Sequence, residues 1–319
     1  MSHFLSPVFE AGFFESDAVR TAVIVGAVVA LVAGALGVFT VMRGQSFAAE
    51  AFGDIGTTGG SGAFLAGVGL LGGFLAFCVL AAGAMELVGI QRVRGRDLAT
   101  GIVLSAALGL AALFLYLDST IHNTTGATIT VLFGSIFTIP DSTVPLVAAL
   151  AVVVIAILLV IHRPLLLSTI SSEIATARGV PVRLVGAAYL LALAVAVALC
   201  ALSIGSILST ALLIGPAAAA LRLTNRPGRA ILAAGLLGVT SVWLGIVLAY
   251  DSYDWPPYGN GWPVSFFVVT IVFAIYLLSG LPGWRERRRA NRSGDGSADG
   301  TADRWANGAA DAPMGRARG

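Results

Sequence analysis

Residues 141–161 read DSTVPLVAALAVVVIAILLVI, and from Val144 onward no position carries a charge. The run has no wet side. Nothing recurs every third or fourth residue to separate a polar face from an apolar one, and nothing alternates as a strand would. A membrane β-strand alternates lipid-facing and lumen-facing residues. A segment apolar all round for about 20 residues is instead a helix of bilayer length. Comparable segments cover 21–41, 64–88, 99–116, 183–203, 205–221, 230–250 and 262–280. A short Gly-rich stretch at 46–63 leaves the count at eight or nine crossings. A weakly apolar stretch at 124–138 is too short to cross and is expected as a re-entrant or interfacial helix.

Composition points the same way. The chain has 319 residues, 57% of them hydrophobic and 11% charged, with a mean hydropathy of +0.90. A soluble domain carries about 25% charged residues. Lipid is therefore the expected solvent, and only helices or closed barrels satisfy their backbone there. The expected fold is all-α, a polytopic transmembrane helical bundle of the inner (cytoplasmic) membrane. Residues 1–20 form an N-terminal segment, 21–280 the transmembrane domain and 281–319 a tail. That tail has almost no large apolar residues and is expected to be disordered.

The net charge of +2 says little, but its placement says more. Every basic residue is Arg. Arg92, Arg94 and Arg96 crowd one loop; Arg163, Arg178 and Arg183 flank another; Arg222, Arg226 and Arg229 sit in a third. Arg285, Arg287, Arg288, Arg289 and Arg292 follow the last span. Positive residues stay cytoplasmic, so these regions and the C-terminus are expected inside. The loops at 117–123 and 251–261 lack Arg, hold Asp118, Asp251 and Asp254, and are expected outside. Nine spans put the acidic N-terminus outside, eight inside.

Several classes of activity lack their motifs. No Walker A pattern occurs, so no nucleotide is expected through a P-loop. Neither His-Glu-x-x-His nor Gly-x-Ser-x-Gly is present. His3, His122 and His162 stand far apart, and Cys78 and Cys200 read as small core residues of separate apolar segments. The chain is not expected to be an enzyme, to hold a cofactor or to bind nucleic acid.

Ionisable groups inside spans are costly and mark function. Glu50 and Asp54, in SFAAEAFGDIGTTGG (46–60), are four residues apart and share one helix face. Two such carboxylates repel unless a cation or proton lies between them. They therefore mark either a cation path or, with Arg43 close by, a cytoplasmic cap. Glu86 reads as a snorkelling group beside the Arg92–Arg96 loop. His122 and Asn123 read as solvated, and Asp251, Tyr253, Asp254, Trp255 and Tyr258 as an acidic, aromatic outer loop. SSEIATARGVPVR (171–183) is a small amphipathic segment with a Gly and a Pro after it. This is the pattern of a short helix with a glycine stop, capped by Ser171 or Ser172. It is either a connecting turn or the helix through which an ATPase subunit moves the bundle.

Taken together, these motifs resemble the permease family of zinc and manganese ABC importers, over most of 20–280. Arg43 is followed by Glu50-Ala-Phe-Gly-Asp54 where the family has Asp-Ala-Leu-Ser-His. Arg96-Asp97-Leu-Ala-Thr-Gly-Ile-Val103 and Leu132-Phe-Gly-Ser-Ile136 follow in order. A Glu-x-Ala-x-x-x-Gly pattern is matched by Glu173, Ala175 and Gly179, and the run 205–218 ends in Pro216-Ala-Ala. The resemblance implies a permease that dimerises, pairs with a cytoplasmic ABC ATPase and receives its divalent metal from an extracytoplasmic binding protein. It implies that Glu50 and Asp54 line the metal path, and that 171–179, with Glu173, Ala175 and Gly179, couples to the ATPase. The family's Asp and His are Glu and Asp here. All-oxygen ligation suits Mn²⁺ or Fe²⁺ better than Zn²⁺, and leaves a chelated metal or another small solute as the alternative cargo. A stand-alone secondary carrier would show inverted repeats and more buried charge.

Overall fold

The structure, a computed structural model, describes residues 16–88, 96–121, 126–134, 136–224, 226–254 and 261–280. The readings made of Arg92, Arg94, His122, Asn123, Trp255, Tyr258 and the tail lie outside the described residues. The chain divides into two units, Met1–Tyr276 and Leu277–Gly319. Of the second, 277–280 are described, as the end of a helix.

Among the described residues the secondary structure is helical throughout. In chain order the helices are α1 (Asp17–Met42), α2 (Ser46–Leu65), α3 (Leu70–Val88), α4 (Arg96–Ile121), α5 (Gly126–Phe133), α6 (Val144–Ile170), α7 (Ser172–Ala177), α8 (Val182–Ile204), α9 (Ser209–Leu223), α10 (Pro227–Asp251) and α11 (Val264–Gly280). Five regions are long and apolar enough to cross a bilayer: Asp17–Met42, Leu104–Ile121, Asp141–Ile170, Val182–Ile204 and Pro227–Asp251. α5, with 8 residues, is about 12 Å long and cannot cross.

α1 and α8 are mostly buried, whereas little of α6, and of α4 from Leu104 onward, is buried. α1 packs on α6, α8, α9 and α10; α2 lies against α3 and α4 and reaches α5, α8 and α9. At the start of α1, Thr21 donates a hydrogen bond to the Asp141 carboxylate, just before α6. The outer faces carry large apolar side chains such as Leu159 (73% exposed) and Val160 (79%) on α6. In water each would forfeit about 1.5–3 kcal/mol of burial; in lipid it forfeits nothing.

The boundaries differ from the expected spans for identifiable reasons. The expected 64–88 span begins at Leu70, because α2 runs to Leu65 and ends in a Schellman turn. Val68 N–H bonds to Ala63 O and Gly67 N–H to Phe64 O, and Gly67 has φ +67°. α1 and α7 end the same way, at Gly44 (φ +62°) and Gly179 (φ +77°), since this turn needs a left-handed residue. α6 continues past 161, through Pro164, to Ile170. Arg163 is therefore an exposed helical residue rather than a loop residue. α4 continues to Ile121, so Asp118, expected in an outer loop, is helical and 2% exposed.

One backbone contact holds the middle of the fold together. The α8–α9 junction lies against the end of α5: Ser206 N–H bonds to Val131 O (3.2 Å) and Ile207 N–H to Leu132 O (3.4 Å). Gly134 and Gly205 face one another there, with φ +73° and +87°. A Cβ on Gly205 would lie 2.2 Å from Leu132 O, and one on Gly134 2.4 Å from Gly205 N. The two glycines quoted from separate motifs are thus two halves of one contact.

Candidate metal path

α2 is built from small residues because its neighbours come close. A Cβ on Gly59 would stand 2.2 Å from Gly73 O of α3, and one on Gly56 would stand 2.9 Å from Cys78 Sγ. Cys78 donates to Phe52 O at 3.3 Å, which makes it a structural thiol. On another side, Gly53 lets α2 approach the α8–α9 junction. A Cβ there would lie 3.2 Å from Ser209 Oγ. Thr58 Oγ1 donates to Ala107 O of α4 at 2.7 Å, which ties α2 to its third neighbour.

Glu50 and Asp54 are both half-buried on this helix. Their i, i+4 spacing continues as i+7 and i+11 to Thr57 and Ser61, one helix face. Thr57 and Ser61 are 3% and 0% exposed, so the face is a buried polar stripe in an otherwise apolar bundle. It extends for about 16 Å. Thr57 donates to Gly53 O and Ser61 to Thr58 O. Among the described residues no group of three or more His, Cys, Asp and Glu side chains could hold a metal. Spread over about 16 Å of helix, two carboxylates and two hydroxyls cannot all close on one ion. That suits a path better than a storage site. The sequence reading stopped at the carboxylates; the i+7 and i+11 hydroxyls were in the quoted run and carry the same periodicity.

A cavity among the described residues lies elsewhere. It measures ≈ 520 Å³ and is walled by Phe133, Phe137, Ser203, Tyr250, Tyr253 and Trp262. Among the described residues no carboxylate, imidazole or thiol lines it. Glu86 is half-buried in the last turn of α3.

The 171–179 segment folds as α7. Ser171 is at once the C-cap of α6 and the N-cap of α7, and its Oγ accepts from Ile174 N–H at 3.3 Å. Glu173 is exposed in the first turn. Ala175 is 0% exposed, since α7 rests on α6 and α8. Its smallness lets α7 lie flat on its own bundle, rather than enter a groove of another protein. The outward face carries Glu173 and Ile174, the latter 51% exposed.

Comparison with known proteins agrees with this architecture. The profile of the ABC 3 transport family matches residues 15–279. The chain is 28% identical over 246 residues to the manganese transport system membrane protein MntC of Listeria innocua, covering 76% of this chain and 85% of the relative. It is 27% identical over 238 residues to the manganese import system permease protein ScaB of Streptococcus parasanguinis, covering 75% and 82%. Its fold superposes on PsaBC from Streptococcus pneumoniae, solved in complex with a Fab, with a TM-score of 0.72. That match has 24% identity and covers 84% of this chain and 93% of the other. The chain belongs to the ABC 3 transport family. It is a membrane-embedded transport subunit, not an enzyme.

Proposed function

We propose that the chain is the permease of an ATP-driven importer for a divalent transition metal, with Glu50 and Asp54 on the metal path. The observation that carries this reading is the half-buried carboxylate pair at the head of the polar stripe on α2. Oxygen-only donors favour Mn²⁺ or Fe²⁺ over Zn²⁺, in keeping with the manganese named for the relatives. The working assembly is a homodimer with a cytoplasmic ABC ATPase and an extracytoplasmic metal-binding protein. Metal uptake into vesicles holding permease and ATPase tests the path. Glu50→Gln and Asp54→Asn remove a charge with little change of shape and are each expected to lower Mn²⁺ uptake by about 10- to 100-fold. Wild-type uptake in both, at normal expression, would take the carboxylates off the path.

Nine crossings are proposed: α1, α2, α3, α4, α6, α8, α9, α10 and α11. α2 has 20 residues, about 30 Å, which matches the hydrocarbon core. Its neighbours, not lipid, surround its polar face. The arginine alternation then places the N-terminus and 251–261 outside, with α7 and the C-terminus inside. Single cysteines in 251–261 and in the tail report this directly, because the native Cys78 and Cys200 are both buried. An impermeant maleimide added to intact cells is expected to label the loop and spare the tail. Labelling of the tail would reverse the topology.

A further inference from the structure

α7 packs on α6 and α8, and α2 is not among its main partners, yet one side chain reaches between the elements that hold them. Arg43 follows α1 and precedes α2 by two residues, Gly44 and Gln45. Its Nη1 donates to Ser168 Oγ at 3.1 Å and to Thr169 Oγ1 at 3.3 Å. Those hydroxyls belong to the last turn of α6 and also donate back to Leu165 O. Two residues further on, Ser171 opens α7. The guanidinium carbon lies 5.4 Å from the ring centroid of Tyr189 on α8. The Tyr189 hydroxyl, fully buried, is 2.7 Å from Thr40 Oγ1, one turn back along α1. Arg43 Nε is buried and has no hydrogen-bond partner among the described residues.

We infer that Arg43 is a positioning residue that carries displacement of α7 and the end of α6 to the α1–α2 turn, and so to the helix bearing Glu50 and Asp54. The inference rests on the coupling role proposed for α7. The geometry supports a mechanical link in three ways. The contact is made to the last turn before α7, not to the body of α6. The guanidinium is planar and donates to two adjacent hydroxyls at once, which fixes direction as well as distance. Only Gly44 and Gln45 separate Arg43 from the first residue of α2, so little backbone is available to absorb the motion.

The experiment uses the full permease–ATPase complex in vesicles and reads three quantities: ATPase association, ATP hydrolysis and Mn²⁺ uptake. The variants are Arg43→Gln, Arg43→Lys and the double Ser168→Ala/Thr169→Ala. The expected result for Arg43→Gln is association and hydrolysis within about twofold of wild type with uptake at least about tenfold lower, an uncoupled transporter. Arg43→Lys keeps the charge and its donors but lacks the planar fork, and is expected to recover only part of the uptake lost in Arg43→Gln, to about a third of wild type. The double variant keeps the charge and loses the acceptors, and is expected to lower metal moved per ATP by about threefold or more. Uptake per ATP within twofold of wild type in assembled Arg43→Gln overturns the inference. Should Arg43→Gln fail to assemble, the double variant decides in its place, and unchanged metal per ATP there overturns it equally. Failure of the α7 reading looks different. An Ala175→Trp complex would then assemble and transport normally, whereas failure of the Arg43 link leaves Ala175→Trp defective and Arg43→Gln normal.

Discussion

Gly205→Val is expected to abolish accumulation of folded protein. The residue sits at φ +87° and ψ 159°, an extended region open essentially to glycine alone, where a β-branched side chain is strained by about 1–3 kcal/mol before any contact is considered. Its Cβ would then meet Leu132 O at 2.2 Å, Phe133 C at 2.4 Å and Gly134 N at 2.5 Å. All three are backbone atoms, so no rotamer change relieves the clash and α5 must move away. Moving it breaks the bonds from Ser206 and Ile207 N–H to Val131 and Leu132 O. Amides left unpaired at membrane depth cost several kcal/mol each, which approaches the whole stability of a domain. Gly44→Ala is the control. It has a similar φ of +62° but nothing within 4 Å of the added Cβ, so only the backbone strain remains. Size-exclusion chromatography of detergent extracts separates the two outcomes. A normal, monodisperse Gly205→Val peak would refute the backbone-contact account.

The second large effect is expected at α7. A six-residue helix is far below the length that is stable alone in water, so α7 exists through Ala175 underneath and through its two caps. Ala175 is fully buried against the bundle, and Trp there cannot fit without lifting the helix, because overpacking alone costs about 1–3 kcal/mol. Gly179→Pro attacks the other support. Proline holds φ near −65°, whereas Gly179 stands at +77° and its N–H bonds to Thr176 O. Both variants are expected to insert normally, lose co-purification with the ATPase and reduce ATP-driven uptake to background. Glu173, exposed in the first turn, also complements the helix dipole by about 0.3–1 kcal/mol. Full association and transport in both would make 171–179 a connector and move the coupling site elsewhere.

Much of the architecture was legible because lipid imposes a simple rule: runs apolar on every side become helices. The runs at 21–41, 183–203 and 230–250 correspond to α1, α8 and α10 within a few residues. The ends of helices were less legible. Arg163 and Pro164 look like a loop, yet α6 runs through them, because a membrane helix tolerates proline where neighbours take up the freed carbonyl. Asp118 looked like an outer-loop acid, and it is buried because α4 is longer than its most apolar stretch. At the candidate site, Glu50 and Asp54 stood out as charges in an apolar run. Thr57 and Ser61 did not, since a hydroxyl on a Gly-rich helix reads equally as filler. Contacts across the sequence were invisible: nothing local in Arg43 points to Ser168, and nothing in Gly134 points to Gly205.

α6 is joined to α1 twice, by Thr21 to Asp141 at one end and by Arg43 to Ser168 and Thr169 at the other. The two helices, of 26 and 27 residues, are each about 40 Å long. In engineering terms they are the parallel chords of a truss, with cross-members near both ends. A single cross-member would let one chord pivot on the other, whereas two at opposite ends suppress that rotation. The pair is therefore expected to tilt together, so that a push at the α7 end would reach the Asp141 end.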